Sequence, residues 1–447
     1  MSNAAVLDID TIDVEKIDKE VENELKTTVT VAIQTETLKK AIGKVERSVS
    51  KKAVQDIFKF IFVDIQENKL TFRGINSEYL TEATVLQNDT QSNFKITSGN
   101  PGSICFPADK LVPIVKRLKA KNSEIRIESN VAVIKSGRPE FNLNGIDGSE
   151  FPNTPDLEEK EATISIHPDM LRIMYSRTIY ACSASETRPL LTGVHHVLSG
   201  KQLKCVSTDS HRLAQYTYDL DKEHPDVRVT VPAPIMTEAL KHLSDSEIEV
   251  QVHFYSNQVV YEFEDAKIYG RILEGQYPNI ESLLFKSDQA GSSVAINAGM
   301  FKSLLNNSTV YNSDQPIIIR IKPDLNQLRA NTREDEVGAF EEDLSTTNGS
   351  GEDVIIAVNV RYLQDALSHY GDQDQVKFIF SPSSPDKPVG MRPFIGMLDN
   401  GNEECLELFV PVRTPQIDYN KQVEIEDFKG VAEFEFNPFE EAFKEIQ

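Results

Sequence analysis

Asp209-Ser210-His211 sets an acid, a hydroxyl and an imidazole side by side. These are the parts of a nucleophilic relay, in which the imidazole takes the hydroxyl proton and the acid orients the imidazole. Successive residues of a strand point to opposite faces, so the trio needs a partner from elsewhere to work as a triad. None is recognisable, and the three read as the lining of a binding surface. His195-His196 invites a metal reading, yet neighbours cannot share a strand face and no H-x-x-x-H pair accompanies them. They read as two strand histidines. The cysteines Cys105, Cys182, Cys205 and Cys405 form no C-x-x-C pair, which argues against a disulfide framework and a thiolate zinc site and leaves buried, reduced thiols. Phosphate-loop motifs are absent too. The expectation is a chain with no catalytic residues, no metal and no cofactor.

A chain of 447 residues exceeds what one core supports and should divide into two to four domains. Its hydrophobic fraction of 39% and charged fraction of 26% describe a soluble globular protein. No apolar run is long enough for a bilayer, and the opening MSNAAVLDID lacks the basic and apolar regions of a signal peptide, so the expected location is cytoplasmic. The net charge of −23 would repel nucleic acid if it were spread evenly. It is not: residues 1–26 carry −5, residues 333–343 carry −5 and residues 417–447 carry −6, leaving about −7 on the remaining body. Where charge sits decides what a surface attracts.

The elements that must hold these residues recur three times. VAIQTETLKKAIGKVERSV from Val31, ISIHPDMLRIMYSRTIYAC from Ile164 and VAINAGMFKSLLNNSTVYN from Val294 open alike, at spacings of 133 and 130 residues. A second helix recurs inside each unit: CFPADKLVPIVKRLKAK from Cys105, TVPAPIMTEALKHLSD from Thr230 and AVNVRYLQDALSHYGD from Ala357. Strands with period-2 apolar alternation follow it. GSEFPN at 148–153 and EGQYPN at 274–279 close the first two units, with Pro152 and Pro278 where a linker begins. The expected fold is α+β: three repeated domains over 28–153, 154–285 and 286–416, each with two helices packed on antiparallel sheets.

Leu38, Ala41, Ile42, Val45 and Val49 form a core stripe on the first helix. Lys40, Lys44, Arg47 and Lys51 follow a second stripe, with Lys52 beside it. The second helix directs Leu111, Ile114, Val115 and Leu118 inward and Lys110, Lys116, Arg117 and Lys119 outward, with Pro113 marking a late start or a first-turn kink. One lysine-rich helix is ordinarily a solvated face. Two in one domain of an acidic protein suit sequence-independent, salt-sensitive phosphate contact with double-stranded DNA. Arg172 and Arg177 are the counterparts in the second unit. No base-reading motif is apparent.

In the second unit the phrase TRPLLTGVHHVLSGKQLKCVSTDSHRLA, residues 187–214, resembles that of bacterial DNA sliding clamps, the beta subunits of DNA polymerase III. The likeness extends to KSGRPEFNLNGIDGSEFPN at 135–153, VNVRYLQDAL at 358–367 and LFVPVR at 408–413, and covers roughly residues 28–415. It implies a head-to-tail homodimeric ring with helices on the inner wall, closing rather than growing into a filament. It further implies a processivity factor that tethers the polymerase, the clamp loader and repair proteins through linear motifs. By matching position, the partner-peptide pocket would take Arg188, Leu191, Thr208, Ser210, His211, Arg212 and Leu213 from the second unit. Pro278, Ser282, Leu283, Pro316, Asn359 and Tyr362 would add to it, and Leu408, Val410, Pro411, Val412 and Arg413 would complete the floor. Most clamps carry glycine where Ser210 stands, and some an aromatic where Pro316 stands.

Both ends depart from that pattern. Residues 1–27 read as an acidic disordered extension, residues 333–352 as a flexible acidic insert and residues 417–447 as an acidic, Phe-rich extension. In the last, Asn437 and Pro438 can open a helix that puts Phe439, Ala442, Phe443 and Ile446 on one face. Two other classes compete: a DNA-processing enzyme, which needs clustered metal-binding carboxylates, and a clamp-derived scaffold that binds proteins but no longer holds DNA.

Overall fold

Each third of the chain follows one plan: a strand and a helix, then antiparallel strands, and the same again. In the computed structural model the described residues are 28–50, 55–87, 94–243, 248–280, 291–310, 316–332, 338–382, 394–399 and 405–409. They fall into two compact units, Met1–Asp156 with Val260–Gly270, and Leu157–Val259 with Arg271–Gln447.

In the first unit, strand Thr28–Gln34 runs into helix α1, Thr35–Val45, and strand Gly102–Pro107 runs into helix α2, Ala108–Arg117. The two halves interlock. Thr28–Gln34 pairs with Phe94–Gly99 on one side and with Asn122–Glu128 from the second half on the other. Phe60–Ile65 likewise pairs with Gly102–Pro107, and Tyr79–Leu86 carries Ala266–Arg271 on its free edge. The helices lie over one core: Leu38, Ile42 and Val45 of α1 and Leu111 and Val115 of α2 are almost wholly buried. Each such side chain contributes roughly 1.5–3 kcal/mol. Gly74 is required where α1 ends against strand Lys69–Ile75, because a Cβ there would stand 2.4 Å from the Val45 carbonyl oxygen. Pro113 departs from expectation. The helix begins at Ala108 and carries the proline in its second turn, since the flanking Leu111 and Val115 are held in the core.

In the second unit, helices α3 (Pro168–Ile179), α4 (Ala233–His242), α5 (Ala298–Ser308) and α6 (Val360–Leu367) repeat the plan twice more. A seven-stranded antiparallel sheet joins the second and third repeats, in the order Gly193–Thr208, Arg212–Pro232, Cys405–Phe409, Phe394–Asp399, Gln375–Pro382, Ser292–Asn297, Thr347–Gly351. The segment expected to be a flexible insert is instead built into the sheets. Glu341–Ser345 and Thr347–Gly351 are strands, paired with Gln327–Asn331 and Ser292–Asn297, and they complete the third repeat's first half. Charge hid them, but Leu344 is buried and Asp343 accepts two hydrogen bonds from the Arg329 guanidinium, at 2.6 and 2.7 Å. Residues 333–337, the extension 1–27 and the extension 417–447 lie outside the described residues.

Candidate functional site

The first candidate surface is the solvent face of α1 and α2. Lys40, Arg47, Lys110, Lys116, Arg117 and Lys119 are exposed there. Lys116 pairs with Glu46 at 2.8 Å, tying the two helices together; Lys110 pairs with Asp109 at 3.1 Å, and Lys44 is half-buried on Asp265. Arg47 donates to the Gly43 carbonyl at 2.9 Å. Lys51 and Lys52 lie outside the described residues. In the second unit Arg172 pairs with Asp169 on its own helix. Arg177 is a correction. It turns inward to donate to the His369 carbonyl at 3.1 Å and lies over the Tyr370 ring at 5.3 Å, because the third repeat packs against that end of α3.

The second candidate is the turn between Gly193–Thr208 and Arg212–Pro232. Asp209 closes it, one carboxylate oxygen accepting from the backbone N–H groups of His211 and Arg212 at 2.9 Å each. An acid so engaged is a turn residue, not half of a relay. Thr208 Oγ accepts from the Ser210 N–H at 3.2 Å and donates to the Arg212 carbonyl at 2.6 Å. Ser210 adopts φ 77°, the left-handed region that favours glycine. The resemblance's glycine at this position thus has a backbone reason. Arg188 donates to the Ser210 hydroxyl at 3.2 Å from the start of the 3-10 turn Pro189–Thr192, in which Leu191 is buried.

Arg212 organises what lies beside the turn. Its Nε donates to Asp209 at 3.0 Å and its Nη1 to Asp365 of α6 at 2.5 Å. Its guanidinium lies over the rings of Tyr362 at 4.8 Å and Tyr180 at 5.3 Å. The His211 ring stands near-parallel to Tyr362 at 6.4 Å. Leu213 is paired in register with both Thr208 and Leu408, and both leucines are buried beneath the turn. Pro316 starts its strand opposite Asn359, whose side chain caps α6 through the Arg361 N–H at 3.0 Å. Pro278 is buried next to Tyr277, whose ring stacks on His195 at 4.6 Å. Ser282, Leu283, Val410, Pro411, Val412 and Arg413 lie outside the described residues.

Several residues of this junction escape a reading by sequence. Glu407 is fully buried, receives the Tyr370 hydroxyl at 3.3 Å, and is pushed up to about 8 by burial, against the pull of Arg177. Burial, with Arg177 adding to it, takes His369 down to about 4. Only Asp365 left a signal, three residues after Tyr362 and so on the same helix face. His195 and His196 are both drawn down to about 4 by burial, and His196 bonds the Val194 carbonyl at 3.0 Å. Burial pushes the Cys105 and Cys182 thiols up to about 12 and the Cys205 thiol higher still. Among the described residues no group of three or more His, Cys, Asp or Glu is placed to hold a metal ion.

Comparison with known proteins identifies the family. Three family models match in succession: DNA polymerase III beta subunit N-terminal domain over residues 29–155, central domain over 165–279 and C-terminal domain over 287–394. The chain is 29% identical over 388 residues to the beta sliding clamp of Bacillus subtilis, covering 86% of this chain and 99% of that one. It is 30% identical over 380 residues to the beta sliding clamp of Streptococcus pneumoniae serotype 4, covering 84% and 96%. A crystal structure of the B. subtilis DNA polymerase sliding clamp superposes with TM-score 0.80 at 27% identity, covering 87% of this chain and all of that one. A Pseudomonas aeruginosa sliding clamp bound to griselimycin gives TM-score 0.76 at 22% identity, over 87% of this chain and all of that one. Repeat, fold and family match define the class, a three-domain sliding clamp of DNA replication. Within it, the chain belongs to the DNA polymerase III beta-subunit family.

Proposed function

We propose that two copies of this chain join head to tail, first domain against third, into a ring around duplex DNA. The α1 and α2 face meets phosphates without reading sequence, and the junction at residues 208–213 takes linear motifs of polymerase, clamp loader and repair proteins. The chain itself performs no chemistry and works in the cytoplasm; no helix among the described residues is long and apolar enough to cross a membrane. The observation that carries the DNA side is the row of exposed cations on α1 and α2 in a chain of net charge −23. Strand edges at Glu140–Asn144 and Glu341–Ser345 end their sheets within this chain and are the pairing edges offered to the second copy.

The test separates the two surfaces. The variant Lys40→Glu/Arg47→Glu/Lys116→Glu/Arg117→Glu should bind duplex DNA weakly. Its slope of log affinity on log salt should be shallower by about 3–4, since each phosphate contact contributes about 0.9. Griselimycin binding, measured calorimetrically, should be unchanged in it. Tyr362→Ala should do the reverse. If either variant lost both activities while remaining folded, the assignment of two separate surfaces would be wrong.

A further inference from the structure

We propose that the chain's own C-terminal segment, residues 417–447, docks on the junction at residues 208–213 and competes with partner peptides. The proposal rests on reading that junction as the peptide site. Strand Cys405–Phe409 is part of the junction's underside: Leu408 pairs with Leu213 and Phe409 with Arg212. Whatever follows Phe409 therefore starts at the site. Thirty-eight residues follow it, whereas the B. subtilis relative is covered to 99% of its length by 86% of this chain. This chain carries sequence beyond the shared body, and part of it is attached where partners would bind.

The segment's composition suits that surface. It holds nine acidic residues against three lysines, and Phe434, Phe436, Phe439, Phe443 and Ile446 crowd into its last fourteen positions. A linear motif for an aromatic-edged site needs spaced aromatic and aliphatic anchors. The site presents Tyr362 and His211 to such anchors, and exposed Arg188 and Arg361 at its rim to the acids between them. Reach is ample. Phe434 stands twenty-five residues past Phe409, and an extended chain reaches up to about 3.3 Å per residue.

Tethering makes even a weak contact matter. At an effective concentration of about 1 mM, a segment with an intrinsic Kd of about 100 µM fills the site roughly ten-elevenths of the time and weakens a competitor about tenfold. A partner must then displace the segment, so tight or multivalent partners are favoured over weak ones.

The experiment compares griselimycin binding by calorimetry to the full chain and to its Phe439→Ser/Phe443→Ser variant, which leaves the junction untouched. The variant should bind about tenfold tighter. A synthetic peptide of residues 417–447, added in trans to the variant, should restore the weaker apparent affinity. Equal affinity for both chains, with no effect of the peptide, overturns the docking contact and leaves the peptide-site reading standing. No binding to either chain removes the peptide-site reading, and the proposal with it.

Discussion

The α1–α2 face and the junction at residues 208–213 both depend on arginine, and they use it oppositely. On the helices the cations stand largely in water, and where they pair they do so in solvent-facing ion pairs such as Lys110 with Asp109 and Lys116 with Glu46. At the junction Arg212 and Arg177 are turned inward, spread over tyrosine rings and bonded to carboxylate or carbonyl oxygens drawn from distant parts of the chain. On the proposed reading, the helix face keeps its charges hydrated and exchangeable, so that counterions can be released when DNA arrives. On the same reading, the junction is rigid before a peptide arrives, with Arg212 and Arg177 holding the second and third repeats together.

The sharpest way to break this contrast is to remove one arginine or lysine from each region. Arg212→Ala should lower unfolding stability by about 2–4 kcal/mol, because it strands half-buried Asp209 and empties the space between Tyr180 and Tyr362. Lys116→Ala should cost less than about 1 kcal/mol, the range of an exposed ion pair. Urea midpoints of the two variants measure the difference, and similar losses would erase the distinction.

Glu407 gives the next effect. Its folded-state carboxyl titrates near 8, above its ordinary value of 4.5, so the native state holds a proton that the unfolded chain has released between those values. Stability from this group is therefore full below about 4.5 and falls as pH rises toward 8. Urea unfolding at pH 6 and pH 8 should show the wild type losing more stability than Glu407→Gln. Parallel behaviour of the two would place the carboxyl in an ordinary environment.

The smallest effect is at Ser210. Its φ of 77° strains a side chain, so Ser210→Gly should gain up to about 1 kcal/mol, offset by the glycine's freedom when unfolded. A shift of the thermal midpoint downward would mean that the Arg188 hydrogen bond to the serine hydroxyl outweighs the strain.

The two regions also differ in how far they could be read from sequence. Periodicity exposed the helix face, since Leu38, Ile42 and Val45 on one stripe oblige Lys40 and Arg47 to lie on another. It failed for Arg177, which shares the helical spacing but meets another repeat. It failed again for 341–351, where acidic and small residues disguised two strands whose pairing is set by partners far along the chain. The junction has no periodic signature: Arg188, Arg212, Asp365 and Glu407 come from four separate segments. Only the family resemblance pointed to it, and even that left Tyr180, Tyr370 and Glu407 unseen because they support the surface from below.

A ring that holds DNA by encircling it can leave only over a free end. Clamp placed by a clamp loader on nicked circular duplex, then passed through a sizing column in moderate salt, should stay with the circle and be lost once the circle is cut. Equal loss from circular and linear DNA would contradict encirclement and leave only ordinary surface binding.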